Sequence, residues 1–151
     1  MIFVVPGKPQ GKERPRTVRI NGFVHSYTPA KTAQYEKSVQ EAYLLDAQRE
    51  SWMEGEPLSV SIDVLFEIPK SYPKKKREEA IKGTLSPTKR PDLDNIAKAI
   101  CDALNNIAYK DDAQIVELNT SKKYTEKKPC VVVTIENFSK DGIKSDYMPR
   151  V

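Results

Sequence analysis

Histidine and cysteine are nearly absent: the chain holds one histidine, His25, and two cysteines, Cys101 and Cys130. So few cannot close a zinc site without carboxylates. Two cysteines leave a single bridge open but make no disulfide framework, and both read as small buried hydrophobes. Imidazole chemistry would rest on His25 alone, and that residue reads as structural. If the protein is an enzyme, its working groups are therefore carboxylates and lysines. Long apolar runs are missing too. No stretch approaches the ~18 consecutive apolar residues that a membrane helix needs, so no membrane partner is expected. The run Met1–Pro6 has no basic residues ahead of it and soon meets Gly7. It makes a poor secretory leader, and the expected location is cytoplasmic.

Charge is what the chain has in abundance. Charged residues make up 30% of its 151 residues and hydrophobic residues 38%, which suits one domain of ordinary size with a solvated surface. The net charge of +4 hides a block pattern. Residues 1–37 carry net +5, 38–67 net −6, 68–90 net +6, 91–120 net −4 and 121–151 net +3. Acidic blocks between basic ones suit a metal site set in a polyanion-binding surface. Plain surface solubility explains the same pattern.

Periodicity and turn chemistry outline the elements. Ile2–Val5 is a β-prone run. A Gly- and Pro-rich loop from Gly7 to Arg16 follows and is expected to be flexible. Asn21-Gly22 between Thr17–Ile20 and Phe23–His25 predicts a hairpin, because both turn positions accept positive φ. Thr28-Pro29 predicts a helix start capped by Thr28, running to about Arg49. The alternation of Leu58, Val60, Ile62, Val64 and Phe66 predicts a strand. Tyr72–Gly83 is a basic helical segment with Gly83 as C-cap. Asp92 opens an amphipathic helix with Leu93, Ile96, Ala97, Ile100 and Leu104 on its apolar stripe. Two strands follow, Gln114–Tyr124 and Cys130–Glu136, joined by the polar turn 125–129. The expected fold is α/β (α+β), with one mixed sheet flanked by helices. Residues 1–137 form a single domain, and 138–151 are a tail of little periodicity, a candidate for flexibility.

The chemistry concentrates around the third helix. Asp92 stands at its N-cap and Asp94 two residues in, with Lys98 and then Asp102 following at one-turn intervals along a polar ridge. Asp111-Asp112 precedes a strand and can fold back against the helix start. Clustered carboxylates repel one another, and a hard dication removes that repulsion while taking oxygen ligands from carboxylates, water and phosphate. Such an ion polarises a phosphate and acidifies an attacking water. Plainer readings stand beside this one. Asp92 as an ordinary cap contributes about 1 kcal/mol, Asp94 and Lys98 as an i,i+4 pair a few tenths, and Asp111-Asp112 reads as a turn. The calcium-loop pattern is not met, because Ile96 stands where an oxygen ligand belongs.

The combination is more specific than its parts. Asp92-Leu93-Asp94-Asn95, Lys98, Asp102-Ala103-Leu104-Asn105 and the run Tyr109-Lys110-Asp111-Asp112-Ala113-Gln114-Ile115-Val116 closely resemble the signature of the RusA family of phage and bacterial Holliday-junction resolvases. The signature covers residues 90–118. Supporting similarity lies in the Gly7–Arg16 loop, the helix start at 27–39 and the basic run 73–77. The resemblance implies a homodimeric RusA-like nuclease that uses Mg²⁺ or Mn²⁺ to place paired, symmetric nicks in four-way DNA during recombination and repair. It implies Asp92, Asp94 and Asp112 as metal ligands, Lys98 as the essential lysine, and Asp111 as a possible additional acid. A homodimer also matches the approximate two-fold symmetry of a junction.

The basic residues supply a DNA-contacting surface: Lys8, Lys12, Arg14 and Arg16 ahead of the hairpin, Lys74, Lys75, Lys76 and Arg77 in the second helix, and Lys89 and Arg90 before the acidic motif. Their expected use is to neutralise phosphates and not to read bases. A solvated helix face is the plainer reading of the 74–77 run. Tyr27, Tyr109 and Tyr124 are candidates for stacking on bases, against a plainer role in packing. Two other functions compete. One is a branched-DNA-binding protein that does not cut, for which clustered acids have no use. The other is a nucleotide-sugar transferase, which needs a larger nucleotide domain and places its acidic motif at the end of a strand.

Overall fold

The computed structural model describes residues 1–139, so most of the expected tail lies outside the described residues. Its elements are β1 (Ile2–Pro6), β2 (Arg16–Ile20), β3 (Phe23–Tyr27), α1 (Ala30–Leu45), β4 (Leu58–Glu67), α2 (Lys74–Lys82), α3 (Leu93–Ala103), a single 3-10 turn at Asp112–Gln114, β5 (Ile115–Thr125) and β6 (Cys130–Asn137).

The fold is α+β, with a mixed sheet in the order β1-β6-β4-β5. β4 runs antiparallel to β6 and parallel to β5. Its alternating pattern explains its central place. Leu58, Val60, Ile62 and Val64 are at most 1% exposed, and burying each such side chain contributes about 1.5–3 kcal/mol. Val131, Val133 and Ile135 of β6 and Phe3 and Val5 of β1 continue the same buried layer. α1 and α3 cover this face, α1 through Tyr35, Val39 and Tyr43 and α3 through Ile96, Ala97 and Ile100. On the opposite face, Ile2 and Val4 of β1 are exposed. Among the described residues no helix is long and apolar enough to cross a membrane.

The expected mixed sheet is present, and β2 and β3 pair only with each other in a second sheet. Their turn is the expected Asn21-Gly22, with φ of 51° and 83°. Every residue of both strands is exposed, so nothing buried draws the hairpin onto the main sheet. β5 and β6 follow one another in the chain but are not neighbours, since β4 lies between them. Thr28 does not cap α1. Pro29 occupies the N-cap without a side-chain bond, and its carbonyl accepts the Ala33 N–H at 3.0 Å. The helix also stops at Leu45 instead of reaching Arg49. Asp46 is extended at ψ 120°, and its Oδ1 accepts the Gln48 N–H at 2.8 Å, an Asx turn that competes with helix propagation. Gly83, by contrast, ends α2 as expected, at φ 79°.

Candidate active site

α3 begins as its sequence implies but uses its acids differently. Asp92 occupies the N-cap with φ −70° and ψ 145°, and its side chain makes no capping bond. The ordinary capping role is therefore unfilled, and the exposed carboxylate is free for other partners. Asp94 lies two positions on, roughly 200° around the helix axis at 3.6 residues per turn. The two acids consequently line different clefts.

The first cleft, of about 610 Å³, lies between α3 and β5, and its lining includes Asp94, Lys98 and Asp112 above Leu93, Ala97, Cys101, Ile115 and Leu118. The second, of about 410 Å³, holds Asp92 with Lys8, Lys12, Lys31, Arg90 and Asn95. Asp94, Lys98 and Asp112 are thus brought together, while Asp92 opens to the other side.

Asp112 is set in place by its neighbour. The Asp111 carboxylate accepts the Ala113 N–H at 2.8 Å, and the Gln114 side-chain oxygen accepts the Asp111 N–H at 3.1 Å. This is a capping box. The Gln114 amide nitrogen then donates to the carbonyls of Trp52 and Glu56, both at 3.0 Å, which ties the turn to the core beside buried Trp52. Asp111 therefore has a structural role of its own in presenting Asp112. Burial, followed by hydrogen bonding to Asp111 and the charge of Asp102, pushes the Asp112 carboxyl above the usual aspartate range. That crowding marks a position short of positive charge.

Lys98 does not pair with Asp94. Its Nζ lies 3.4 Å from Asp102, one turn further along. Asp102 also receives the Lys12 ammonium, which reaches Glu36 at 3.1 Å as well. Burial raises the Asp102 carboxyl, but the hydrogen bond and charge of Lys12, with those of Lys98, outweigh it, so the net shift is downward. Sequence reasoning placed Asp102 on the polar ridge without giving it a role and passed over Glu36. The i,i+4 spacing from Lys98 to Asp102 was the available signal.

The N-terminal loop is pinned, which corrects the expected flexibility. Lys12 N–H donates to the Asn95 carbonyl at 3.0 Å, and Glu13 N–H to Thr32 Oγ1 at 3.1 Å. Gly11 sits so close to the start of α3 that an added Cβ would lie 3.1 Å from the Pro91 Cβ and 3.2 Å from the Asn95 Cβ. Lys8 and Arg90 line the second cleft, where Lys31 joins them unanticipated. Arg14 is exposed, and Arg16 lies 3.6 Å from Glu13. Lys74, Lys75, Lys76 and Arg77 form the first turn of α2, with no acid among them. Cations there oppose the helix dipole. Lys76 lies 4.2 Å from the centre of the Tyr72 ring. Lys89 offers its carbonyl to Lys122 at 2.8 Å. Tyr109 is buried with its hydroxyl on the Cys101 carbonyl, so its place is in the core. Tyr124 bonds to Tyr72, and Tyr27 is exposed. Cys101 is buried and neither cysteine is bridged. Burial pushes the Cys101 thiol up to about 11, in keeping with a packing role. His25 is exposed in β3.

Among the described residues, no three His, Cys, Asp or Glu side chains are gathered closely enough to hold an ion. Asp94 and Asp112 nonetheless share one cavity. Two carboxylates suit a hard dication that completes its shell with water and substrate phosphate.

The chain matches the family model described as Endodeoxyribonuclease RusA over residues 6–136. It is also 42% identical over 139 residues to the uncharacterized protein YqaN of Bacillus subtilis (strain 168), an alignment that spans 91% of this chain and 96% of that protein.

Proposed function

The chain belongs to the RusA endodeoxyribonuclease family, and on that premise we propose that it resolves four-way DNA junctions, as a homodimer, by paired symmetric nicks that depend on Mg²⁺ or Mn²⁺. The observation that carries this reading is the shared cavity of Asp94, Asp112 and Lys98, where an acid from the first turn of α3 and an acid from the turn before β5 line one cleft with a lysine.

In this reading Asp94 and Asp112 would hold the cation, and Asp92, in the adjoining cleft, would support it. The ion, when bound, supplies Lewis acidity toward the phosphate and lowers the pKa of water. Lys98, whose side chain is 63% exposed, sets its ammonium against charge that develops on the phosphate oxygens. Leu93, Ala97, Ile115 and Leu118 form an apolar floor beneath these groups. Lys8, Lys31, Arg90 and the first turn of α2 neutralise phosphates on either side of the cut. Two copies related by two-fold symmetry bring two such cavities to the two matched strands of a junction. Recombination and repair, in a phage, prophage or host setting, are the processes that produce this substrate.

A second reading is a branched-DNA-binding protein that does not cut. The separation of Asp92 from Asp94 and Asp112 favours it. Incubation with a synthetic four-way junction, with and without Mg²⁺ and beside a linear duplex, separates the two. Nicks that need both Mg²⁺ and the branch support the resolvase. A retained gel shift without nicks supports binding alone.

A further inference from the structure

Four charged side chains from three segments meet beside the cavity. Lys12 comes from the loop after β1, Glu36 from α1, and Lys98 and Asp102 from α3. Lys12 Nζ bonds Asp102 Oδ2, and Lys98 Nζ lies 3.4 Å from that same oxygen. The side chains of Lys12 and Asp102 are 23% and 19% exposed, against 63% for Lys98. Lys12 thus has the closer contact and the drier place, on a backbone fixed to Asn95 and flanked by the tightly seated Gly11.

Two ammonium groups on one oxygen compete for it. Lys98 stands one turn from Asp94 on one side and one turn from Asp102 on the other, so its long stem can serve either end of the ridge. With Lys12 in place, Asp102 is already satisfied and holds Lys98 loosely. Without Lys12, Asp102 would keep Lys98 as its one cation among the described residues. The pair would tighten and draw the ammonium away from Asp94 and the substrate.

We infer that Lys12 is a positioning residue that never touches DNA: by occupying Asp102 it leaves the Lys98 ammonium free for the phosphate. What Lys98 does there rests on the nuclease reading above, whereas the competition for Asp102 does not.

Lys12→Met tests this, because it keeps most of the stem and removes the charge. Junction binding is expected to keep its salt slope, since no phosphate contact is lost. Turnover is expected to fall roughly tenfold or more with KM little changed. Adding Asp102→Asn to Lys12→Met should restore part of the turnover, because the competing carboxylate is gone. A salt slope lower by about one with unchanged turnover would make Lys12 a DNA contact. A double variant no faster than Lys12→Met would reduce the cluster to scaffolding. Either result overturns the inference.

Lysine-selective NMR of the DNA-free protein gives a readout independent of cleavage. In Lys12→Met the Lys98 Nζ resonance should move, and Asp102→Asn should reverse that movement. If Lys12→Met fails to fold, Glu36→Gln turns Lys12 wholly toward Asp102 and should move the Lys98 resonance the opposite way. A Lys98 resonance indifferent to these changes refutes the competition. A wild-type chain that does not nick junctions refutes only the nuclease reading.

Discussion

Asp92 and Asp94 are separated by one leucine, yet the clefts they line have opposite characters. Around Asp94 the rim is acidic, with Lys98 the one cation among the lining residues, and the floor is apolar. Around Asp92 the lining includes Lys8, Lys31 and Arg90 with the single further acid Glu13, while the Lys12 ammonium is turned away to Asp102 and Glu36. A short acidic motif at a helix start therefore does not make one acidic site. It sends one carboxylate into a cleft with an apolar floor and a second acid, and the other into a cleft lined by several cations. On the proposed function, cutting belongs to the first cleft and grip to the second.

The sharpest test of this division is Asp94→Asn. It should lower junction cleavage by roughly 10²–10³, the scale for losing one preorganised electrostatic group, while gel-shift binding persists. Chelation with EDTA should act in the same direction. Wild-type cleavage by the variant would remove Asp94 from the chemistry. Asp92→Asn should cost less, roughly tenfold, as for a group supporting a metal site from outside. Single-turnover rates of the two variants measure the gap, and equal losses would mean that the clefts act as one site during the reaction.

Gly11→Ala probes the wall shared by the loop and α3. Its new methyl would press on Pro91 and Asn95 at 3.1 and 3.2 Å, which should destabilise the fold by about 1 kcal/mol. A urea titration reads this as a lower midpoint at unchanged slope, and an unchanged midpoint would mean that the loop gives way. Arg90→Ala should have the smallest effect. Affinity should fall a few-fold and the salt slope by about one, with turnover at saturating DNA unchanged. A loss of turnover would move Arg90 from grip to chemistry.

Much of the frame was legible in the sequence because it rests on local rules. The alternation in β4, the apolar stripe of α3, Asn21-Gly22 and Gly83 each encode geometry within a few residues. The order of the main sheet was not legible. Whether β5 and β6 touch depends on β4, which lies far from both in the chain. The signature brought Asp94, Lys98 and Asp112 to notice, and the fold brings those three together. The separation of Asp92 was hidden, because it depends on which clefts the loop and β5 form on either side of α3. Lys12 also carried no sign of turning inward, since a lysine between glycines and prolines has no periodicity to read. The capping box at Asp111 was legible and went unread: an Asp followed three residues later by Gln states it directly.

The β2–β3 hairpin turns at Asn21 and Gly22 and is held by its own antiparallel ladder, and no residue of either strand is buried. Surface changes of this kind leave folding stability nearly untouched. Substitutions along this stretch are therefore close to neutral for the fold, unlike those in the buried layer of β4 and α3.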